Sequence, residues 1–109
     1  MVERSANLDI IFKSLADATR RDILQRVSQK SLSISALAEP YELSFAAIAK
    51  HISVLETAQL ITKRREGKQH MISLVPKTLA TALTHLEQYE KLWQDRFDAL
   101  ETLLQEDEP

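Results

Sequence analysis

A single glycine, Gly67, occurs in this chain of 109 residues, and it limits the fold more than any other residue. Glycine supplies the positive φ that tight turns need. With one glycine and three prolines there is little room for a sheet of many strands and turns. Gly67 also sits between two runs with strand character, Ile61–Arg65 and Gln69–Val75. Glu66-Gly67-Lys68 therefore reads as the turn of one β-hairpin. Within 69–75, Ile72 and Leu74 point one way and Met71, Ser73 and Val75 the other. The rest of the chain is expected to be helical, as a single domain over 1–109.

Helical periodicity bears this out. Leu8, Ile11, Phe12 and Leu15 form one apolar stripe behind a cap at Asn7 or Ser5. Asp17 or Thr19 caps a second helix that turns Ile23, Leu24 and Val27 inward. The run Gln29–Ser33 reads as a loop. A short third helix over 34–39 buries Ile34, Leu37 and Ala38, and Pro40 ends it. Ser44 caps a fourth helix over 44–57. At 100° per residue, Ile52 and Leu55 fall within about 40° of Ile48 and form its buried face. Ala46, Lys50 and Ser53 then lie on the far side, with Ala47, Ala49 and Val54 flanking them. His51 lies at the edge of the buried face, and Phe45 lies about 60° from its centre, placed equally well to pack or to face outward.

The last helix is expected from Pro76–Thr78 to about Gln105. Leu79, Leu83, Leu86, Tyr89, Trp93, Phe97, Leu100 and Leu104 recur every three or four residues. Such a helix is roughly 40 Å long, too long a stripe for a body this small to cover. The surplus calls for another copy of the chain. A homodimer seam is expected from the terminal helices, 1–16 and 77–105. Its residues are Leu8, Ile11, Phe12 and Leu15 on the first, and Leu86, Tyr89, Trp93, Phe97 and Leu100 on the last.

Charge is unevenly spread. The formal net charge is −2. Residues 1–85 carry 12 Lys+Arg against 8 Asp+Glu, giving +4, and residues 86–109 carry 2 against 8, giving −6. The body is cationic and the arm acidic. Within the body, a helix with a narrow, non-acidic outer face runs into a basic hairpin bearing Lys63, Arg64, Arg65 and Lys68. A helix can enter the major groove of DNA only if its outer face is narrow, as Ala46, Ala47 and Ala49 make it here. Lys50 can reach guanine or a phosphate, and the helix start at Ser44 suits a phosphate. Cations on a hairpin tip suit the backbone or a narrow minor groove. The expected DNA-facing set is Ser44, Phe45, Ala46, Ala47, Lys50, His51, Lys63, Arg65, Lys68 and Gln69.

Several function classes lose ground. The chain has no cysteine, so disulfides, thiolate metal sites and thiol redox sensing are excluded. Its histidines, His51, His70 and His85, are scattered. His85 and Glu87 are two residues apart and lie on different helical faces, so no metal site and no cofactor are expected. No cysteine nucleophile, glycine-rich phosphate loop or paired carboxylate points to an enzyme. No apolar run approaches the ~18 residues of a membrane span. The segment 1–9 lacks the apolar core of a signal peptide, so a cytoplasmic protein without a membrane partner is expected. Two alternatives remain, a metal-responsive repressor using histidines and a dimeric module that binds protein rather than DNA.

These residues resemble the ArsR/SmtB-type winged helix-turn-helix regulators, in a cysteine-free subgroup. Leu15–Leu24, LADATRRDIL, is similar to the family's LADPTRRRIL. Leu37–Pro40 and Leu43–Ile52, LSFAAIAKHI, resemble its LAEPF and MSxxAVSKHL segments, and Leu55–Ile61 resembles LEEAGLV. Arg65–Lys68 resembles the wing's REGR, and Tyr89–Glu101 the YrxxWexRLdxLe end helix. The resemblance covers nearly the whole chain. It implies a dimeric DNA-binding regulator, usually a repressor, with a helix-turn-helix over 33–57 and a wing over 61–75. It also implies a seam from the first and last helices. The chain departs from the pattern at Ala18 (usually Pro), Ala49 (often Ser) and Gln59 (usually Gly). If position 59 has positive φ, glutamine there is strained. Arg20 and Arg21 sit at a helix start, where the macrodipole disfavours cations. A compensating partner is expected, for Arg20 a carboxylate in preference to a DNA phosphate.

Overall fold

The computed structural model describes residues 2–106. Among them, five helices and three strands follow one another as α1 (Val2–Ser14), α2 (Ala18–Gln29), β1 (Leu32–Ser33), α3 (Ile34–Ala38), α4 (Phe45–Thr57), β2 (Ile61–Glu66), β3 (Gln69–Leu74) and α5 (Pro76–Glu106). The chain divides into two compact units, one up to Leu79 and one from Ala80 onward.

In the first unit, α2, α3, α4 and the hairpin enclose the core. Ile23, Leu37, Ile48, Leu55, Leu60 and Ile72 are fully buried. The starts of α2, α3 and α4 are each closed by the side chain before the helix. The Asp17 carboxylate accepts from the Arg20 N–H at 3.0 Å, the Ser33 hydroxyl from the Ala36 N–H at 3.1 Å, and the Ser44 hydroxyl from the Ala47 N–H at 3.1 Å. Such caps satisfy N–H groups that have no partner inside the helix.

Three details differ from the sequence expectations. The 29–33 run is not all loop, because Leu32 and Ser33 form β1, antiparallel to β3 in a sheet of order β1-β3-β2. Two residues are too few to show a period. The first helix already begins at Val2, so Asn7 and Ser5 lie within it rather than capping it. Ala38 ends α3 half-buried instead of in the core.

Gln59 connects α4 to β2 with φ 61°, and Gly67 turns the hairpin with φ 62°. Gln59 has therefore taken the left-handed conformation that glycine favours. Four hydrogen bonds surround it, the first from its own N–H to the Glu56 carbonyl at 2.9 Å. The Leu60 N–H donates to the Leu55 carbonyl at 3.1 Å, the Val75 N–H to the Leu60 carbonyl at 2.8 Å, and the Thr78 hydroxyl to the Gln59 carbonyl at 2.6 Å.

In the second unit, α5 continues as one helix to Glu106. Leu86, Tyr89, Trp93, Phe97, Leu100 and Leu104 are all exposed. At 100° per residue they fall within about 80° of one another. No helix among the described residues is long and apolar enough to cross a membrane.

Candidate nucleic-acid interface

The site is built on α4 and the hairpin. Ile48, Ile52 and Leu55 anchor α4 in the core. That leaves Ala46, Lys50 and Ser53 exposed, with Ala47, Ala49 and Val54 half-buried beside them. The outward surface is small in its side chains, and its one carboxylate, Glu56, lies exposed in the last turn, away from the leading end. Ser44 and Phe45 are exposed at its leading end, so Phe45 faces outward rather than packing.

His51 is held differently. It is half-buried, and its Nδ1 lies 3.4 Å from an Arg20 guanidinium nitrogen and 3.9 Å from the Asp17 carboxylate. This ring nitrogen faces the junction of α1 and α2. The Arg20 N–H bond, helped by the nearby His51 and Arg20 charges, holds the Asp17 carboxyl below its ordinary range, and partial burial opposes the shift.

The expected ion pair of Arg20 gives way to main-chain partners. Its guanidinium donates to the Ser14 carbonyl at 2.6 Å and the Lys13 carbonyl at 3.0 Å. Arg21 donates to the Leu15 carbonyl at 2.8 Å. The final carbonyls of a helix lack partners and carry the negative end of its dipole. The α1 end thus supplies the compensation that these cations need at the α2 start.

In the hairpin, cross-strand partners share a face. Ile61 pairs with Leu74, Lys63 with Ile72 and Arg65 with His70, on the face that buries Ile61 and Ile72. Towards the tip the core ends, and Lys63, Arg65, Lys68 and Gln69 are all exposed. Arg64 lies on the opposite face, 2.5 Å from the Glu66 carboxylate. That neighbour neutralises one of the four wing cations. Arg65 donates to the Gly67 carbonyl at 3.2 Å, which brings its guanidinium to the turn.

A further cluster has no signature in sequence spacing. Arg26 donates to the Leu37 and Ala36 carbonyls at 2.8 and 2.9 Å, closing the end of α3. Its guanidinium carbon lies 5.7 Å from the centre of the Tyr41 ring. The Tyr41 hydroxyl donates to the Asp22 carboxylate. Partial burial and that carboxylate push the Tyr41 phenol above its ordinary value. These contacts tie the α3–α4 turn to α2 and so fix where α4 begins. An arginine in the last turn of α2 was the hint.

On the expected seam, Leu8, Phe12 and Leu15 are half-buried, while Leu86, Tyr89, Trp93, Phe97 and Leu100 are exposed. Ile11 is placed differently from the others. It is 6% exposed within one chain and belongs to that chain's own core, leaving almost no surface for a partner. Among the described residues, no three or more of His, Asp and Glu come together in a way that could hold a metal ion.

Three helices, a capped outward α4 and a basic hairpin after it define a winged helix-turn-helix protein. The sequence matches no family model. It is 35% identical over 81 residues to the HTH-type transcriptional regulator Rv2034 of Mycobacterium tuberculosis, covering 74% of this chain and 76% of that protein. It is 31% identical over 58 residues to the transcriptional repressor SdpR of Bacillus subtilis, covering 53% of this chain and 64% of that one. A solved ArsR family transcriptional regulator superposes with a TM-score of 0.76 at 30% identity, covering 81% of this chain and 97% of its own. The chain belongs to the ArsR family of transcriptional regulators. Its relatives regulate transcription and are not enzymes.

Proposed function

We propose that the chain is a homodimeric repressor acting in the cytoplasm. Its operator is an inverted repeat, bound through the helix 44–57 and the wing 61–75. The observation that carries this reading is the outward side of α4. It presents Ala46, Lys50 and Ser53, with no acidic side chain before Glu56 in the last turn, ahead of a hairpin whose exposed cations include Lys63, Arg65 and Lys68. Lys50 anchors or reads DNA from the helix, and Arg65 and Lys68 anchor the wing on phosphates. The exposed apolar stripe of α5 supports self-association, because a surface of that kind is costly to leave in water. Two heads related by a two-fold axis reach half-sites about one helical turn apart, roughly 34 Å. Repression is the role of the similar SdpR protein, and a dimer seated on its operator represses by occupying it.

Selection of bound sequences from a random DNA pool tests the reading, followed by affinity measurements across salt. The selected site should be an inverted repeat, and affinity should fall steeply with salt, as counterion release requires. Arg65→Ala should weaken binding nearly equally on all sequences and lower the salt slope by about 1. Lys50→Ala should weaken binding most on the selected site. If both variants fold and bind like the parent, the head and wing are misassigned. A protein-binding module without DNA affinity would select no sequence at all.

A further inference from the structure

We infer that Phe45 reads the 5-methyl group of thymine in each half-site. This rests on the DNA-binding reading above and names the chemistry of its base contact. Phe45 is the first residue of α4 and is 62% exposed. Its wheel angle does not explain that exposure, since it lies within about 20° of the buried Ile52. Its position along the axis does. The buried stripe begins at Ile48, and Phe45 stands nearly a full turn earlier, beyond the edge of the core. The fold therefore places its largest exposed aromatic outside α5 at the leading end of the recognition helix, next to the Ser44 cap.

The chemistry of the groove restricts what such a ring can gain. Base edges in the major groove offer hydrogen-bond donors and acceptors at every pair, but only one apolar group, the thymine methyl. A phenyl ring has no donor or acceptor to offer. The side chains around it also favour this contact. Ala46 and Ala49 end at a methyl, so Phe45 reaches further than either. Polar readers on the outward face are few, chiefly Lys50 and Ser53. With so little hydrogen bonding available, an apolar contact at the helix start carries a correspondingly large share of the sequence preference.

The test replaces each thymine of the selected site with deoxyuridine, which lacks only the 5-methyl group. Losing one buried methyl corresponds to about a fourfold loss of affinity. The parent should lose about fourfold at one thymine position per half-site, and about fifteenfold when both half-sites are changed. Phe45→Ala should bind the thymine and deoxyuridine sites alike. Phe45→Leu, which keeps an apolar side chain, should retain part of the discrimination. Low salt keeps the variants' binding measurable, because phosphate contacts then contribute more.

Equal losses in the parent and Phe45→Ala would overturn the inference and assign the methyl contact to another side chain. So would a parent indifferent to every thymine methyl. So would a Phe45→Ala chain that sediments as a monomer, since Phe45 would then belong to a chain–chain contact. A parent that binds its selected site without methyl dependence sinks only this inference. A parent that selects no DNA sinks the DNA-binding reading as well.

Discussion

The helices α4 and α5 carry the same kind of pattern and meet different ends. In α4 the apolar positions Ile48, Ile52 and Leu55 are buried by the rest of the first unit. In α5 the positions from Leu86 to Leu104 are exposed, with Trp93 at 61%. Periodicity identifies which side of a helix is apolar. It does not identify what covers that side. For α4 the cover is the same chain. For α5 we propose a second copy. On that proposal one helix is completed by folding and the other by association, so substitutions in the two should differ in their dependence on protein concentration.

The largest expected effect is in α5. Trp93→Ala should cost about 3–5 kcal/mol of dimer stability, the usual range for truncating a buried aromatic. Sedimentation across a concentration series should show a much weaker dimer, and an unperturbed one would break the comparison. Next comes Ile52→Ala in α4, which should cost about 2–5 kcal/mol of folding stability. Urea unfolding at one high protein concentration measures this; a loss well under 1 kcal/mol would mean that α4 is not anchored as described.

Smaller effects come from the ends of the helices beside the head. Asp17→Ala removes the α2 cap and should cost about 1 kcal/mol near neutral pH. The Asp17 pKa is lowered in the folded chain. Its stabilisation is therefore fully present above the unfolded value and lost as pH falls through the folded one. The stability gap between parent and Asp17→Ala should close in acid. A gap that persisted unchanged well below the ordinary carboxylate range would show that the charge of Asp17 contributes nothing. The smallest effect is a gain. Gln59→Gly should stabilise by about 0.5–1 kcal/mol, the relief of a left-handed non-glycine residue less the added chain entropy of glycine. An unchanged or lower melting temperature would count against strain at that position.

Much of this fold was legible because its signals are local. The Ser44 cap, the Ile48–Ile52–Leu55 stripe and the Gly67 turn each declare themselves within a few residues. What escaped depends on distant partners. β1 exists because Leu32 and Ser33 lie beside Ile72 and Met71, far along the chain. Arg20 and Arg21 find main-chain carbonyls, and a carbonyl has no residue type by which to predict it. Ile11 shares a stripe with Phe12, yet is buried where Phe12 is only half-buried. A stripe gives direction around a helix but not depth into the core. Phe45 shows the same limit along the axis, since a wheel does not record where the body ends. For the candidate site, residue types and spacing brought out Lys50 and the wing cations. They could not show that Glu66 takes up Arg64 or that His51 turns its Nδ1 towards Arg20.

The conformation of Gln59 has a consequence for how the molecule opens. A left-handed glutamine persists only while its surroundings hold it there. The holding contacts come from Leu55 and Glu56 at the end of α4, Val75 after β3 and Thr78 in the first turn of α5. Release of any one lets Gln59 relax, and relaxation in turn removes the geometry the others need. The end of α4, the root of the hairpin and the first turn of α5 are thereby joined into one cooperative unit. Their amides, those of Leu60 and Val75 foremost, should exchange with solvent in a single event rather than in three.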